Sequence, residues 1–519
     1  MRMRFPFSSG TPFFLDRRGN VAVVAALSMA PLALAGLGAI DLARVTSAKS
    51  QLQDALDAAA LGAARTTATT DTQLQAAGSR FLAQNLKLSS DYQLHAQSFR
   101  FGDGGRVEAT AQLRFTPFIA GMVSGGTMTV SAVSEVVRAD MKVEIALVLD
   151  TTGSMNDGSK LQDMKDAAKA FIDKMEDASD KAIEPDSVKI SMVPFANAVR
   201  IDGTLFRNAV WMDQAGVAPI NNQIFTTSSG TQFANRFTLF NTIGTAWRGC
   251  VEMRQAPYDI QDTAPSAGVP ATLYTPYFAV DEPDSKTSGY GDDYQNDYLK
   301  DGTTSSNWRV RQGMVTKYKS TSGMNTDFGP NRGCKMARLM RLTTDFSALR
   351  TAINNLSADG NTNIPIGMSW GWNTLTSWAP FSDGVPYGTA KHKKIIVLMT
   401  DGENTIAQRD TPNDGTYAAT GYIWQGRVLK SNGQPLQQGA SSAERTAALD
   451  SRLALMCENI KDREIEIYTI RVEVETGSSE LLETCASGRD YYYDVDDSSD
   501  LTNVFESIAG QIAALHLSR

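Results

Sequence analysis

The sequence predicts an α/β protein: a mainly parallel sheet covered by helices on both faces, preceded by a single transmembrane helix and a small α+β module. Three observations carry this. From Lys142 onward, apolar strand-like runs alternate with long helical segments, the signature of a parallel sheet buried on both faces. Near the N-terminus an uncharged run extends from Val21 to Ile40. Between the two, short alternating segments are separated by glycine-rich turns. The 519 residues are 42% apolar and 20% charged, sufficient for large cores in more than one domain. A net charge of -8 argues against nucleic acid as a partner, because phosphates are not drawn to the bulk of such a chain.

The first element is the membrane helix, 20–41. At about 1.5 Å per residue, about twenty helical residues match the hydrocarbon thickness of a bilayer. Arg2, Arg4, Arg17 and Arg18 precede the run and Asp41 follows it, which places segment 1–19 in the cytoplasm and the rest outside. A cleaved signal peptide is the alternative, with Ala33 and Ala35 flanking Leu34 at a cleavage-like site. The continuation favours an anchor. Leu42, Val45, Ala48, Leu52, Ala55, Leu56 and Ala59 keep a helical spacing, so the helix is expected to run on to about Ala64 as an amphipathic one. Its apolar face suits a partner, its own domain or a second copy of the chain. Pro31 is tolerated inside a membrane helix.

A second helix is expected over 66–85. Three β-rich segments then follow, QLHAQSFRF, GRVEATAQLRF and TMTVSAVSEVV, with turns at GDGG (102–105) and SGGT (124–127). The module 42–139 ends there. In the larger domain, 142–515, strands are expected at 143–149, 188–195, 394–400, 464–472 and 490–495. Helices are expected at about 159–178, 345–357, 364–376, 441–459, 478–486 and 499–514. Two polar inserts, 203–336 and 404–440, interrupt this rhythm and read as binding loops or disordered segments. The acidic stretches DEPDSK (281–286) and YGDDYQNDYLKDG (290–302) read as a solvated face, since they lack the spacing of a calcium loop. Tyr491, Tyr492 and Tyr493 read as strand packing.

Cys250, Cys334, Cys457 and Cys485 are the only cysteines, and none forms a CxxC pair. With three histidines in the chain, a structural zinc site is not indicated. Export favours disulfides. Cys250 with Cys334 would close the first insert, a stabilisation of about 4 kcal/mol by chain-entropy reasoning, and Cys457 with Cys485 is the second expected pair. Sequence alone leaves all three pairings open.

The chemistry concentrates in three loops. Strand 143–149 runs into Asp150, Thr152 and Ser154, a carboxylate and two hydroxyls at alternate positions of a strand-to-helix turn. Gly360, Asn361, Thr362 and Asn363 precede a helix, and strand 394–400 ends in Thr400, Asp401 and Gly402. Open α/β sheets gather such strand ends at one edge. Oxygen ligands of mixed charge suit a hard divalent ion, Mg2+ or Mn2+. The bland alternative is that Asp150, Ser154, Thr362 and Asn363 cap helices. Gly367, Ser369 and Gly371 match GxSxG, the nucleophile elbow of hydrolases, but Ser369 lies within a predicted helix and no histidine is placed to serve it. No enzyme is indicated.

On these residues the chain resembles the von Willebrand factor A (VWA) domain with its metal-ion-dependent adhesion site. The resemblance implies a Rossmann-like α/β domain, with Asp150, Thr152 and Ser154 as the DxSxS ligands, Thr362 as the second-loop threonine and Asp401 as the third-loop aspartate. It also implies that an acidic residue of a partner completes the ion's coordination. Arg17, Arg18 and Gly19 before the membrane helix resemble the N-terminal region of TadE/TadG-like proteins of Flp (tight-adherence) pilus assembly. Together these imply a single-pass protein of the bacterial inner membrane with a periplasmic C-terminal domain that binds envelope or pilus-assembly proteins.

Overall fold

An apolar run that continues directly into an amphipathic one gives one unbroken helix, α1, over Asn20–Ala64, with Pro31 inside it. The computed structural model describes residues 20–66, 68, 70–87, 89–102, 106–119, 126–137, 141–182, 184–225, 235–319, 328–474 and 479–517. The expected cytoplasmic segment 1–19 and parts of both glycine-rich turns, 103–105 and 120–125, lie outside the described residues. The chain divides into two units, Met1–Ala139 and Asp140–Arg519.

In the first unit the two halves of α1 differ in what surrounds them. Val23, Val24, Leu27, Met29, Leu32 and Leu34 are exposed, whereas Leu52, Leu56, Ala59, Ala60 and Ala63 are fully buried. The first half is long and apolar enough to cross a membrane. The second half packs on α2 (Asp71–Asn85) and on an antiparallel sheet of β1 (Tyr92–Gly102), β2 (Arg106–Phe115) and β3 (Met128–Val137), in that order. On β2, Val107, Ala109, Ala111, Leu113 and Phe115 point inward and the residues between them outward, the period-two pattern of a half-buried sheet. The helix expected from 66 begins only at Asp71. Thr70 stays extended and its hydroxyl accepts the Gln73 N–H, a cap that outcompetes continuation through a threonine-rich stretch. Just beyond the apolar half, the buried Asp41 carboxylate accepts the N–H groups of Phe118 and Ile119 at 2.8 and 2.9 Å.

The second unit runs β4 (Lys142–Asp150), α3 (Lys160–Asp180), β5 (Val188–Phe195) and β6 (Val199–Arg200). Within the first insert lie α4 (Arg236–Ile243), β7 (Cys250–Val251) and α5 (Trp308–Gly313). Then come β8 (Met340–Thr343), α6 (Phe346–Asn354), α7 (Ile364–Thr374) and β9 (His392–Thr400). The chain closes with α8 (Ser442–Lys461), β10 (Glu466–Val472), α9 (Ser479–Cys485), β11 (Tyr492–Val495) and α10 (Leu501–Leu517). The sheet is mixed: its order is β11-β10-β9-β4-β5-β6-β7, with β8 also on β5. Strands β11, β10, β9, β4 and β5 are parallel, and β6, β7 and β8 add antiparallel pairings. One face is covered by α3, α6 and α10, whose Phe171, Leu349 and Phe505 meet Ile145, Leu147 and Val397. On the other face lie α7, α8 and α9.

The first insert is not a loop outside the core. Trp211, Phe225, Phe240, Tyr274 and Phe278 share one buried cluster with Trp370 of α7 and with Phe381. The two acids read as solvated, Asp281 and Glu282, are likewise inside. Asp281 takes the N–H groups of Tyr298 and Leu299 and pairs with Lys317 at 2.7 Å. Glu282 takes the N–H groups of Gln295 and Asn296, the Asn413 amide and the Tyr422 hydroxyl. Buried carboxylates are stable only when so paired. Here they pin the insert to its own turns and to the 404–440 segment.

Candidate functional site

The site begins where β4 ends, at the middle of the sheet between β9 and β5. Asp150 is fully buried there. Its Oδ1 accepts the Thr152 N–H at 2.8 Å and its Oδ2 the Thr400 hydroxyl at 2.6 Å, so the ends of adjacent strands hold one carboxylate. The chain then makes a single 3-10 turn, Gly153–Asn156. This turn brings the Thr152 hydroxyl to 3.1 Å from that of Ser154, which donates to Asp401 Oδ1 at 2.7 Å. Neither Asp150 nor Ser154 caps α3, whose N-cap is Ser159.

The second loop is stitched to the first: Gly153 N–H donates to Gly360 O and Asp359 N–H to Thr151 O, both at 2.9 Å. Asn363 caps α7 through the Ile366 N–H, which leaves the Thr362 hydroxyl free of that duty. Thr362 exchanges two hydrogen bonds with Thr405, tying the second loop to the third. A Cβ on Gly402 would stand 3.4 Å from Thr362 Oγ1 and 3.8 Å from Ser154 Oγ. One small volume beside Gly402 is thus in reach of both hydroxyls. All five residues expected from the sequence, Asp150, Thr152, Ser154, Thr362 and Asp401, lie in this cluster.

Lys160 is the residue that sequence reasoning missed. Its ammonium lies 3.2 Å from Asp401 Oδ2 and 3.7 Å from Glu473. One signal existed: a lysine in the first turn of a helix opposes the helix dipole, which implies a nearby acid. Thr400, visible at the strand end, also proves to be a partner of Asp150.

Burial, then the charge of Asp401, pushes the Asp150 carboxyl up to about 7, against hydrogen bonds from Thr152 and Thr400 that pull it down. Two close, buried carboxylates with three hydroxyls and no soft ligand form a donor set suited to a hard divalent ion. Among the described residues there is no metal-ligating group of three or more His, Cys, Asp or Glu. Any ion held here would therefore rely on hydroxyl oxygens beside its two carboxylates.

The GxSxG stretch has a packing explanation. A Cβ at Gly367 would fall 2.6 Å from the Phe195 ring and one at Gly371 2.5 Å from Val148 Cγ2, so these glycines let α7 press against β5 and β4. Ser369 sits within that helix, away from any strand-to-helix elbow. Cys250 is bonded to Cys334 and Cys457 to Cys485, with Cα–Cα distances of 5.8 and 5.1 Å. Tyr491 packs against Tyr468 at 4.6 Å, and Tyr492 and Tyr493 lie on β11.

Against known proteins, no curated sequence matches the chain. Among solved structures, it is similar to the pilus adhesin SpaC from Lactobacillus rhamnosus GG, at 12% identity and TM-score 0.35, over 83% of this chain and 36% of that one. It is also similar to the vWF domain of the type V pili tip protein Mfa5 from Porphyromonas gingivalis, at 11% identity and TM-score 0.34, over 73% and 97%. A third is proximal thread matrix protein 1 from the mussel byssus, with a zinc-occupied MIDAS motif, at 13% identity and TM-score 0.27, over 73% and 47%. The chain thus spans about a third of the length of SpaC. Residues 19–66, which are α1 and its immediate flanks, match the Tad family, "Putative Flp pilus-assembly TadE/G-like".

Proposed function

We propose that the protein is a non-enzymatic, membrane-anchored envelope component that grips an acidic side chain of a partner protein through a divalent ion, in Flp/Tad pilus assembly or tight adherence. Asp150, Thr152, Ser154, Thr362 and Asp401 would hold the ion, Mg2+ or Mn2+. The bound ion would supply a Lewis-acidic point for a carboxylate from outside. The observation that carries this is the meeting of three loops, far apart in sequence, in one cluster of carboxylates and hydroxyls at a strand edge. The Tad match over 19–66 and the apolar half of α1 support the setting: a single pass through the bacterial inner membrane, N-terminus cytoplasmic, larger unit periplasmic.

The test is cross-linked capture of partners by the full-length protein in its own envelope, with Mg2+, with chelator, and as Asp150→Ala with folding checked by circular dichroism. Capture that survives chelator and Asp150→Ala would refute metal-gated binding. One observation favours a second reading, in which the site only braces the fold: the Lys160 ammonium already lies against Asp401. In that case chelator lowers the melting temperature and leaves capture intact.

A further inference from the structure

Beside the proposed metal site, a cleft of about 420 Å3 opens between the second loop and the two inserts. Gly360 and Asn361, immediately before Thr362, form one wall. Arg332 of the first insert and Arg409 of the second also line it. The volume falls within the range of ligand-binding pockets.

Three features give the cleft its chemistry. The first is charge. Neither Arg332 nor Arg409 has a carboxylate partner among the described residues; Arg332 stacks over the Phe328 ring at 5.0 Å, and its buried Nη1 makes no hydrogen bond. Second, the acids that line the cleft are already committed. Glu282 accepts four hydrogen bonds from Gln295, Asn296, Asn413 and Tyr422, and Asp359 pairs with Lys335 at 3.5 Å. Third, Asn197 also lines the cleft, 9% exposed, with an Oδ1 that has no hydrogen-bond partner. Two guanidiniums with no carboxylate partner among the described residues and one unused amide acceptor match a peptide backbone that carries carboxylates.

We infer that this cleft is a second binding site, which takes an acidic stretch of the partner's chain next to the carboxylate that reaches the ion. The inference rests on the metal-site reading for its register: one acid on the ion, flanking acids on Arg332 and Arg409. A single acidic side chain offers little selectivity in an envelope full of carboxylates. A second carboxylate contact, built from the two inserts, would supply it.

The test is isothermal titration of a penta-glutamate peptide into the full-length protein in nanodiscs, with Mg2+ affinity measured separately on each sample. The double variant Arg332→Gln, Arg409→Gln is expected to weaken the peptide by about tenfold or more, as loss of charge-assisted hydrogen bonds does, with Mg2+ affinity unchanged. Arg489→Gln, an arginine whose side chain is 93% exposed and outside the cleft, controls for loss of a surface positive charge and is expected to leave the peptide unaffected. An unchanged peptide affinity in the double variant, or an equal loss in Arg489→Gln, overturns the cleft and leaves the metal reading standing. So does a wild-type protein that binds Mg2+ and not the peptide. A wild-type protein that binds no Mg2+, yet loses the peptide when both arginines are replaced, keeps the cleft and overturns the metal site.

Discussion

Lys160 lies 3.2 Å from Asp401 with its side chain 11% exposed, so its charge is felt by whatever else occupies the cluster. An ammonium and a divalent ion compete for the same carboxylate. Lys160→Met is therefore expected to tighten Mg2+ binding by about tenfold, the order expected for removing one charge at this range in a partly screened site. In chelator the same variant should lose about 1–3 kcal/mol of stability, because Asp401 is left with less compensation. Titration calorimetry and chemical denaturation read the two effects; unchanged metal affinity would mean that no ion sits beside Asp401. At this scale the sequence was informative where the oxygens of the cluster are close in the chain. Asp150, Thr152 and Ser154 announce themselves through alternation in one turn. Lys160 could not be read this way, since its partner lies 241 residues further on.

Among the elements, the first insert departs furthest from expectation. Its acids look solvated in composition, yet Asp281 and Lys317 form a pair with both side chains at 0% exposure. The turns that satisfy Asp281 lie 17 and 18 residues downstream, beyond any local pattern. Burial lifts the Asp281 carboxyl to about 6, despite Lys317 and two backbone N–H groups that pull it down. The folded state thus holds this proton to higher pH than the unfolded chain. The contribution of Asp281 to stability is greatest below about pH 4 and is lost as pH rises through about 6. Lys317→Met removes the cation and should cost about 3–5 kcal/mol near neutral pH. The deficit should shrink at about pH 5, where the carboxyl can stay neutral, and thermal melts at about pH 5 and pH 8 would show it. A deficit independent of pH would mean that Asp281 is not the group left unpaired.

The two cysteine pairs also belong to this scale. Cys250 and Cys334 are 84 residues apart and Cys457 and Cys485 only 28. Replacing the first pair by serine is expected to cost about 4 kcal/mol and the second about 3, measured by denaturant unfolding of each variant. Equal melting of wild type and variants under oxidising conditions would show that neither bond forms. The five parallel strands and the helices between them were legible because each is a local apolar run of sufficient length. Strands β6 and β7 were not, because two-residue strands carry no periodicity and owe their existence to distant pairing.

For the whole molecule, the expected orientation has a direct check. Protease added to spheroplasts should digest the larger unit while an N-terminal tag stays protected, and digestion of the tag with protection of the larger unit would reverse the topology. The two units divide between Ala139 and Asp140. The helical spacing from Leu42 to Ala59 had made legible that one helix serves both the apolar stretch and the core of the first unit. At 45 residues α1 is a rod of about 68 Å, apolar on every side at first and then keyed into a sheet by Leu52, Leu56 and Ala59. No hinge separates these parts. A tug on the first unit is borne by the backbone hydrogen bonds of a helix instead of being absorbed by a slack tether. Shedding is constrained as well: a cut beyond Ala59 leaves Leu52, Leu56 and Ala59 on the anchor side, so setting the unit adrift would strip a wall from its core, and release and unfolding become the same event.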